Sequence, residues 1–318
     1  VNVNFINVLR FRTFFSIYEN VVTMRTTEST AFAPQKGASG MSELALAPVR
    51  HGPFPGHLAP EDIAAYAAAT GDQTEAVLDG LAVPAVFPVI LVFTAQEAAR
   101  ADVPEAVWQR VRGGVHGEHD IVLHRPLVPG EPLDTSAWIS AVRPSRAGTH
   151  IVVRFEQVGA DGSVAVEQWW MMVLLGLHGV AELGAMPSDH RFPDDARAHP
   201  LGSVTQHIDK RVATRYAEVS GDWSAHHFDI DVARAAGFDF VFTHGLCTLA
   251  ICTHRLLDLL GIEDPGRVAR VAARFASPTP IDEELTVNAY GIGQNSFAFE
   301  ATSRGITTIT HGRLELRP

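Results

Sequence analysis

Two hydrophobic periods alternate along this chain, and each change of period marks an element. Val212, Tyr216 and Val219 recur at i, i+4 and i+7, the single apolar stripe of a helix. Ser220-Gly221 ends that helix, because glycine adopts the left-handed backbone that closes one without a Cβ clash. A helix opening at Pro60 and carrying Tyr66 ends the same way at Thr70-Gly71. A long apolar run, Val83 to Ala99, has Pro84 and Pro88 near its start. Proline fits the first turn of a helix and not its interior, so this helix is predicted to begin near Pro88. From Ile90 to Ala98 it is apolar on nearly every side, which predicts burial. Its counterpart is Gly245 to Leu260, closed by Gly261, where Leu246, Leu249, Leu256, Leu257 and Leu260 cover more than one face. Strand patterns follow each buried helix. The first set is Val115–His124, Leu133–Val142, His150–Val158 and Val164–Leu174. The second is Val268–Ala276, Glu284–Ile292, Ser296–Ser303 and Ile306–Leu316. One buried helix and four strands, twice, predict an α+β fold in which antiparallel sheet wraps round a helix.

The two sets are a repeat. Tyr66-Ala-Ala-Ala-Thr-Gly-Asp72 aligns on Tyr216-Ala-Glu-Val-Ser-Gly-Asp222 at a constant offset of 150 positions. A period that long indicates a duplicated domain and not a solenoid. At the same offset Val77 stands where the second copy has His227, and Thr74 where it has Ser224. The first copy keeps the turn and has lost the base, so Asp72 is expected to hold a turn and its copy to shape a pocket. The expected boundaries are an irregular extension over 1–48, the degenerate copy over 49–175, a linker over 176–203 rich in Gly, Pro, Asp and His, and the chemically equipped copy over 204–318. Asn4, Asn7, Arg10 and Arg12 interrupt the apolar block that a secretory signal needs, so the extension reads as translation from a start upstream of Met24 or Met41.

Composition narrows the functions. A chain of 318 residues, 46% hydrophobic and 19% charged, buries a sizeable core. A net charge of −11 argues against non-specific nucleic-acid binding, while a few local arginines still suffice to hold phosphates. The cysteines, Cys247 and Cys252, give no disulfide framework, and five apart on a helix they point about 140° away from each other. A reducing, cytoplasmic setting is therefore expected. No apolar run is long enough for a membrane span, so no membrane partner is expected either.

The chemistry concentrates just past Gly221. Asp222 and His227, five apart on a loop, can turn a carboxylate and an imidazole onto one water, a proton-transfer pair with the histidine titrating near neutrality. Taken singly, each residue is more often a turn former or a solvated side chain. Their company decides: the stretch Tyr216, Ser220, Gly221, Asp222, His227 resembles the signature of the MaoC-like, or type 2 enoyl-CoA hydratase, family. Ala236-Gly237-Phe238 and Thr243-His244-Gly245-Leu246-Cys247-Thr248 resemble its continuation in the two-repeat members. The chain departs from the pattern at Ser224, where the family has Asn, at Ala225, where it has Pro, and at His226, where it has an aliphatic residue. Ser224 is shorter than Asn and is expected to support the site through a water. His226 is expected either to pack or to tune its neighbour's pKa.

The resemblance implies a double hot-dog fold and the interconversion of a trans-2-enoyl-CoA with a 3-hydroxyacyl-CoA, the (R) isomer, with no cofactor. Asp222 and His227 would share the water, and which of them acts as acid stays open. His244-Gly245 opens the buried helix of the second copy. The free first-turn amide at Gly245 suits a thioester oxygen gaining charge, where a mere cap would need the same geometry. Arg270 and Arg274, on one face of a second-copy strand, are the cations expected at the CoA phosphates. The acyl tail is expected in the degenerate copy. His116, His119 and His124 do not converge on a metal, since alternation puts His119 on the other face from the other two unless a bulge intervenes. Trp169-Trp170 and Met171-Met172 read as core with one face lining a pocket or a subunit contact, which leaves a homodimer open. Two other functions stay in play: acyl-CoA thioesterase, since this fold also hosts thioester hydrolysis, and a non-catalytic acyl-thioester-binding subunit.

Overall fold

The computed structural model describes residues 45–318; the expected extension falls almost wholly on residues 1–44, outside them. The first half contains strands β1 (His51–Phe54), β2 (Gly113–Leu123), β3 (Leu133–Pro144), β4 (Gly148–Gly159), β5 (Val164–Leu175) and β6 (Leu183–Gly184). Its helices are α1 (Pro60–Thr70), α2 (Glu75–Leu78), α3 (Phe93–Arg100) and α4 (Glu105–Trp108). The second half contains β7 (Pro200–Ile208), β8 (Phe242–Thr243), β9 (Val268–Phe275), β10 (Thr279–Pro280), β11 (Glu283–Gly293), β12 (Ser296–Ser303) and β13 (Ile306–Leu316), with α5 (Val212–Ser220), α6 (Ile230–Ala235) and α7 (Gly245–Leu259). The eight strands expected from the sequence are β2 to β5, β9 and β11 to β13.

The two halves share one antiparallel sheet of 11 strands, ordered β1-β3-β4-β5-β2-β9-β13-β12-β11-β7 with β6 beside β3. β2 and β9 join them, with Glu118 opposite Arg274, Asp120 opposite Ala272 and Val122 opposite Arg270. α7 fills the second half's concavity, and from Leu246 to His254 every residue of it is buried. The result is the double hot-dog geometry.

The halves also meet where α1 packs on α5, with the Tyr66 and Tyr216 rings 5.9 Å apart. Both helices end on a left-handed glycine, Gly71 at φ 74° and Gly221 at φ 77°, as the repeat predicts. The last carbonyls of α1 are satisfied from the other half: Gln206 Nε2 and His254 Nε2 reach the Thr70 oxygen at 3.2 and 3.1 Å, and Arg255 Nη2 donates to that of Gly71 at 3.1 Å.

Three local features differ from the sequence reading. The first-half buried helix is broken into a 3₁₀ turn, Phe87–Leu91, followed by α3. The Pro88 carbonyl, which an α-helix would offer to Val92, instead accepts from Gln157 Nε2 at 3.2 Å, and the Val92 amide turns to Val89 at 3.5 Å. β7 begins inside the stretch expected to be linker. It is an edge strand whose first four residues are exposed, and its inward face, Val204, Gln206 and Ile208, is too short to announce a strand. Finally, the β2–β5 register shifts between His116 and Glu118. This bulge brings the His116 and His119 rings onto one side, 3.3 Å apart at Nε2 and Nδ1. His124 lies elsewhere, against Glu167 at 2.9 Å.

Candidate active site

α5 must stop at Gly221 for the next residue to turn inward. The Gly221 amide closes on the Ala217 carbonyl at 2.9 Å, and the Asp222 amide donates to Ser220 Oγ at 3.2 Å. The Asp222 carboxylate is then fixed by its own loop. Oδ1 accepts from the Ser224 amide at 3.1 Å and from the Ser224 hydroxyl. Ser224 thus reaches the carboxylate directly, without the intermediary water expected from its length, and leaves Oδ2 open.

A single 3₁₀ turn, Ala225–His227, carries the imidazole. His227 Nδ1 lies 2.9 Å from the Phe242 carbonyl, which can only accept, so Nδ1 bears the proton and Nε2 presents a lone pair. Phe242 is held in turn by the short ladder of β8 with β10. His244 caps α7 and donates from Nε2 to the Asp222 carbonyl at 2.9 Å, with Oδ2 4.0 Å away. Its ring sits 3.8 Å from that of His227. Asp222, His227 and His244 have ligand-type atoms all within 4.8 Å of one another. With Nδ1 of His227 and Nε2 of His244 engaged by carbonyls, three acceptors are left without a protein partner: His227 Nε2, Asp222 Oδ2 and His244 Nδ1. His227 Nε2 and Asp222 Oδ2 can hold one water between them.

Burial sets the protonation states. Desolvation holds the His227 pKa well below the usual imidazole range, reinforced by the neighbouring His244 and His226. His244 is lowered for the same first reason, with Asp222 opposing. His226 falls to about 4, again chiefly by burial. It lies against the Phe242 ring, centroids 5.4 Å apart, and beside His227 at 4.1 Å, so it both packs and tunes.

These groups line one cavity of 1310 Å³ that runs from Asp222, His227, His244 and Gly245 into the first half, past Phe275 to Phe93, His116 and Trp170. At its centre α7 begins. The first-turn amides of α7, Gly245 among them, find no intrahelical acceptor, and a Cβ on Gly245 would come 3.2 Å from the Phe275 ring, so only glycine leaves this approach clear. Trp170 and Met172 face the cavity while Trp169 and Met171 pack on the other side, as alternation along β5 requires.

Arg270 and Arg274 lie elsewhere. Arg270 forms a two-pronged ion pair with Asp120 at 3.0 and 2.7 Å, and Arg274 is paired with Glu118 at 2.5 Å. Both sit on the sheet face under Ser188 and His190, and neither lines the cavity. Alternation placed them correctly on one face but could not say which face. The arginines that do line the cavity are Arg100 and Arg112.

The first half repeats the site's frame without its chemistry. The Tyr216–His244 ring pair, 5.0 Å apart, is matched by Tyr66–Phe87 at 5.4 Å. Phe87 therefore stands where the second half has His244, and Pro88, which has no N–H, where it has Gly245. The missing base was visible in the sequence as Val77; the missing amide was not, because Pro88 read only as a helix start.

Known proteins resemble this chain over much of its length. Residues 192–312 match the family model described as "MaoC like domain". The mouse peroxisomal multifunctional enzyme type 2 is 25% identical over 252 residues, 76% of this chain but 33% of that protein, so the chain spans about a third of that relative. The 3-hydroxyacyl-thioester dehydratase X of Mycobacterium tuberculosis is 27% identical over 222 residues, covering 69% of this chain and 72% of the relative. Among solved structures, a MaoC-like dehydratase from Phytophthora capsici superposes with a TM-score of 0.74 at 20% identity, over 86% of this chain and 96% of that one.

Proposed function

Because this chain belongs to the MaoC-like hydratase and dehydratase family, we propose that it hydrates a trans-2-enoyl thioester reversibly to the 3-hydroxyacyl thioester, with CoA as the carrier. The observation that carries this reading is the convergence of Asp222 and His227 on one cavity wall beside the free amides of α7.

In the hydration direction a water held between Asp222 Oδ2 and His227 Nε2 loses a proton to this pair as its oxygen bonds to Cβ. The Cα=Cβ electron pair moves toward the thioester carbonyl, whose oxygen gains charge beside the Gly245 N–H and the positive end of α7. A proton from the same pair then reaches Cα, completing the addition of one H₂O. Asp222 and His227 act as one coupled acid–base unit. By the same family likeness the hydroxyl enters with (R) configuration, and the degenerate half receives the acyl tail.

The test uses the purified chain with enoyl-CoAs of graded length, following loss of the conjugated enoyl-thioester absorbance and the configuration of the product. Hydration without thiol release supports the reading. Free CoA liberated from saturated acyl-CoA would instead indicate a thioesterase, and binding without any turnover an acyl-binding subunit.

A further inference from the structure

We propose that the cavity wall in the first half is built to receive a hydroxyl group carried on the acyl chain, with His116 Nδ1 as its acceptor. The inference rests on the enoyl-thioester reading above and names the kind of acyl group the site takes.

The argument begins with a buried chain of hydrogen bonds whose direction is fixed at its ends. Gln157 Nε2 donates to the Pro88 carbonyl at 3.2 Å and to Thr135 Oγ1 at 3.3 Å. Its Oε1 accepts from Gln168 Nε2 at 2.6 Å, so Gln168 presents Oε1 to His119 Nε2 at 2.9 Å. His119 must then donate from Nε2 and accept at Nδ1, where His116 Nε2 lies 3.3 Å away. The other end agrees: His116 Nε2 also lies 3.1 Å from the Glu118 carbonyl, which only accepts, so that nitrogen bears the proton. Each internal step therefore has one allowed polarity, and the last free lone pair belongs to His116 Nδ1.

That nitrogen sits on a ring that lines the cavity, and the hydrogen bonds His116 makes among the described residues all use Nε2. The ring is held in place. It stacks on Trp170 with centroids 4.2 Å apart and planes 15° apart, and packs against Phe275 at 4.7 Å. Burial lowers the pKa of His116 well below the usual range and that of His119 to about 4, so the acceptor is uncharged at neutral pH. A neutral acceptor set between the Trp170 and Phe275 rings suits a hydroxyl and offers nothing to an anion. Leaving it unpaired beneath an alkyl tail is unfavourable, because a buried polar atom then loses its water without compensation. The chain ends on the Pro88 carbonyl and Thr135 at one side and on the Glu118 carbonyl at the other, and the lone pair it leaves over, His116 Nδ1, belongs to a ring that lines the cavity. Phe275 spans the interval to Gly245, so the acceptor lies one aromatic ring beyond the proposed thioester oxygen site.

The experiment compares pairs of enoyl-CoAs of equal length, with and without a hydroxyl, the hydroxyl being moved stepwise along the tail. The wild-type chain should favour the hydroxylated member in kcat/KM at one or two adjacent positions by on the order of tenfold. His116→Phe, which keeps the stack on Trp170 and removes the acceptor, should bring that ratio to about one. Calorimetric titration with the corresponding saturated acyl-CoAs reads the same preference as binding. If no enoyl-CoA is hydrated, the hydratase reading fails while the binding ratio still judges the acceptor. Equal wild-type ratios at every position, in turnover and in binding, overturn the proposal even if His116→Phe fails to fold, and so does a preference that survives in that variant.

Discussion

At the scale of single residues, the site depends on which nitrogen carries a proton. The Phe242 carbonyl fixes Nδ1–H of His227, and burial keeps the ring neutral well below the pH at which a free imidazole titrates. The sign is direct: a lowered pKa leaves Nε2 unprotonated, and able to act as a base, as pH falls through the usual imidazole range. The pH profile of kcat/KM for enoyl-CoA hydration should therefore stay flat on passing down through pH 6.5 and fall only at more acidic pH. An acid limb centred near 6.5 would mean that His227 is solvated or is not the base. Asp222 and His227 were legible in the sequence because a short loop after a glycine stop lets two such residues converge and because the stretch around them resembles the MaoC-like signature. His116 and His119 were not, since a bulge at Gly117 cancels the alternation on which any strand reading rests. The directional chain running from them through Gln168 and Gln157 joins β2, β5, β4 and the Pro88 turn, and no sequence spacing encodes that meeting.

At the scale of elements, the start of α7 has two demands on it. His244 caps the helix and holds the Asp222 loop, while Gly245 supplies a free amide. The first half separates these demands, because Pro88 opens the equivalent turn perfectly well with no N–H to offer. Proline is at home in the first helical position, and His244, at φ −61° and ψ 142°, already has the extended backbone that a residue before proline adopts. Gly245→Pro is accordingly expected to fold, with a lowered melting temperature because its Cβ, 3.2 Å from the Phe275 ring, displaces that ring, while kcat falls by about 10²–10³ through loss of the oxyanion donor. Unchanged kcat in a folded variant would remove Gly245 from the mechanism. The helices and strands were largely legible because each kept one clean period. The failures have physical causes: Gln157 captures the Pro88 carbonyl and breaks the first-half helix, and β7 is an edge strand whose first four residues are exposed, leaving only Val204, Gln206 and Ile208 turned inward.

At the scale of the molecule, one unit occurs twice, with His227 and Gly245 in the second copy where the first has Val77 and Pro88. The offset between Asp72 and Asp222 announced the duplication. The fusion of both halves into one sheet through β2 and β9 was not announced, and it explains why Arg270 and Arg274 pair with Asp120 and Glu118 across that seam. The shared interior also buries many histidines. His116, His119, His226, His227, His244 and His254 all have pKa values lowered chiefly by desolvation. The unfolded chain binds protons at these positions from about pH 6.5 downward while the folded chain does not, so stability falls as pH drops from there toward the folded values, about 4 for His119 and His226. Each such group costs about 1.4 kcal/mol per pH unit across its interval, against a total stability on the order of 5–15 kcal/mol. His190 opposes the trend: although burial acts to lower its pKa, its bonds to Glu118 and the His311 carbonyl raise it overall. Thermal melts from pH 8 to 5 should show little change above 7 and a steep loss below 6.5. A flat profile would mean that these rings are hydrated in the folded state. Among the described residues no helix is long and apolar enough to cross a membrane.

The central claim, that Asp222 and His227 hold and activate one water, is tested most directly by steady-state hydration of the best enoyl-CoA substrate with Asp222→Asn. The substitution keeps the side chain's size and its acceptor toward Ser224, and removes only the charge and one acceptor position. The account predicts a loss of about 10²–10⁴ in kcat with little change in melting temperature. A variant that folds and retains near-full turnover would contradict it.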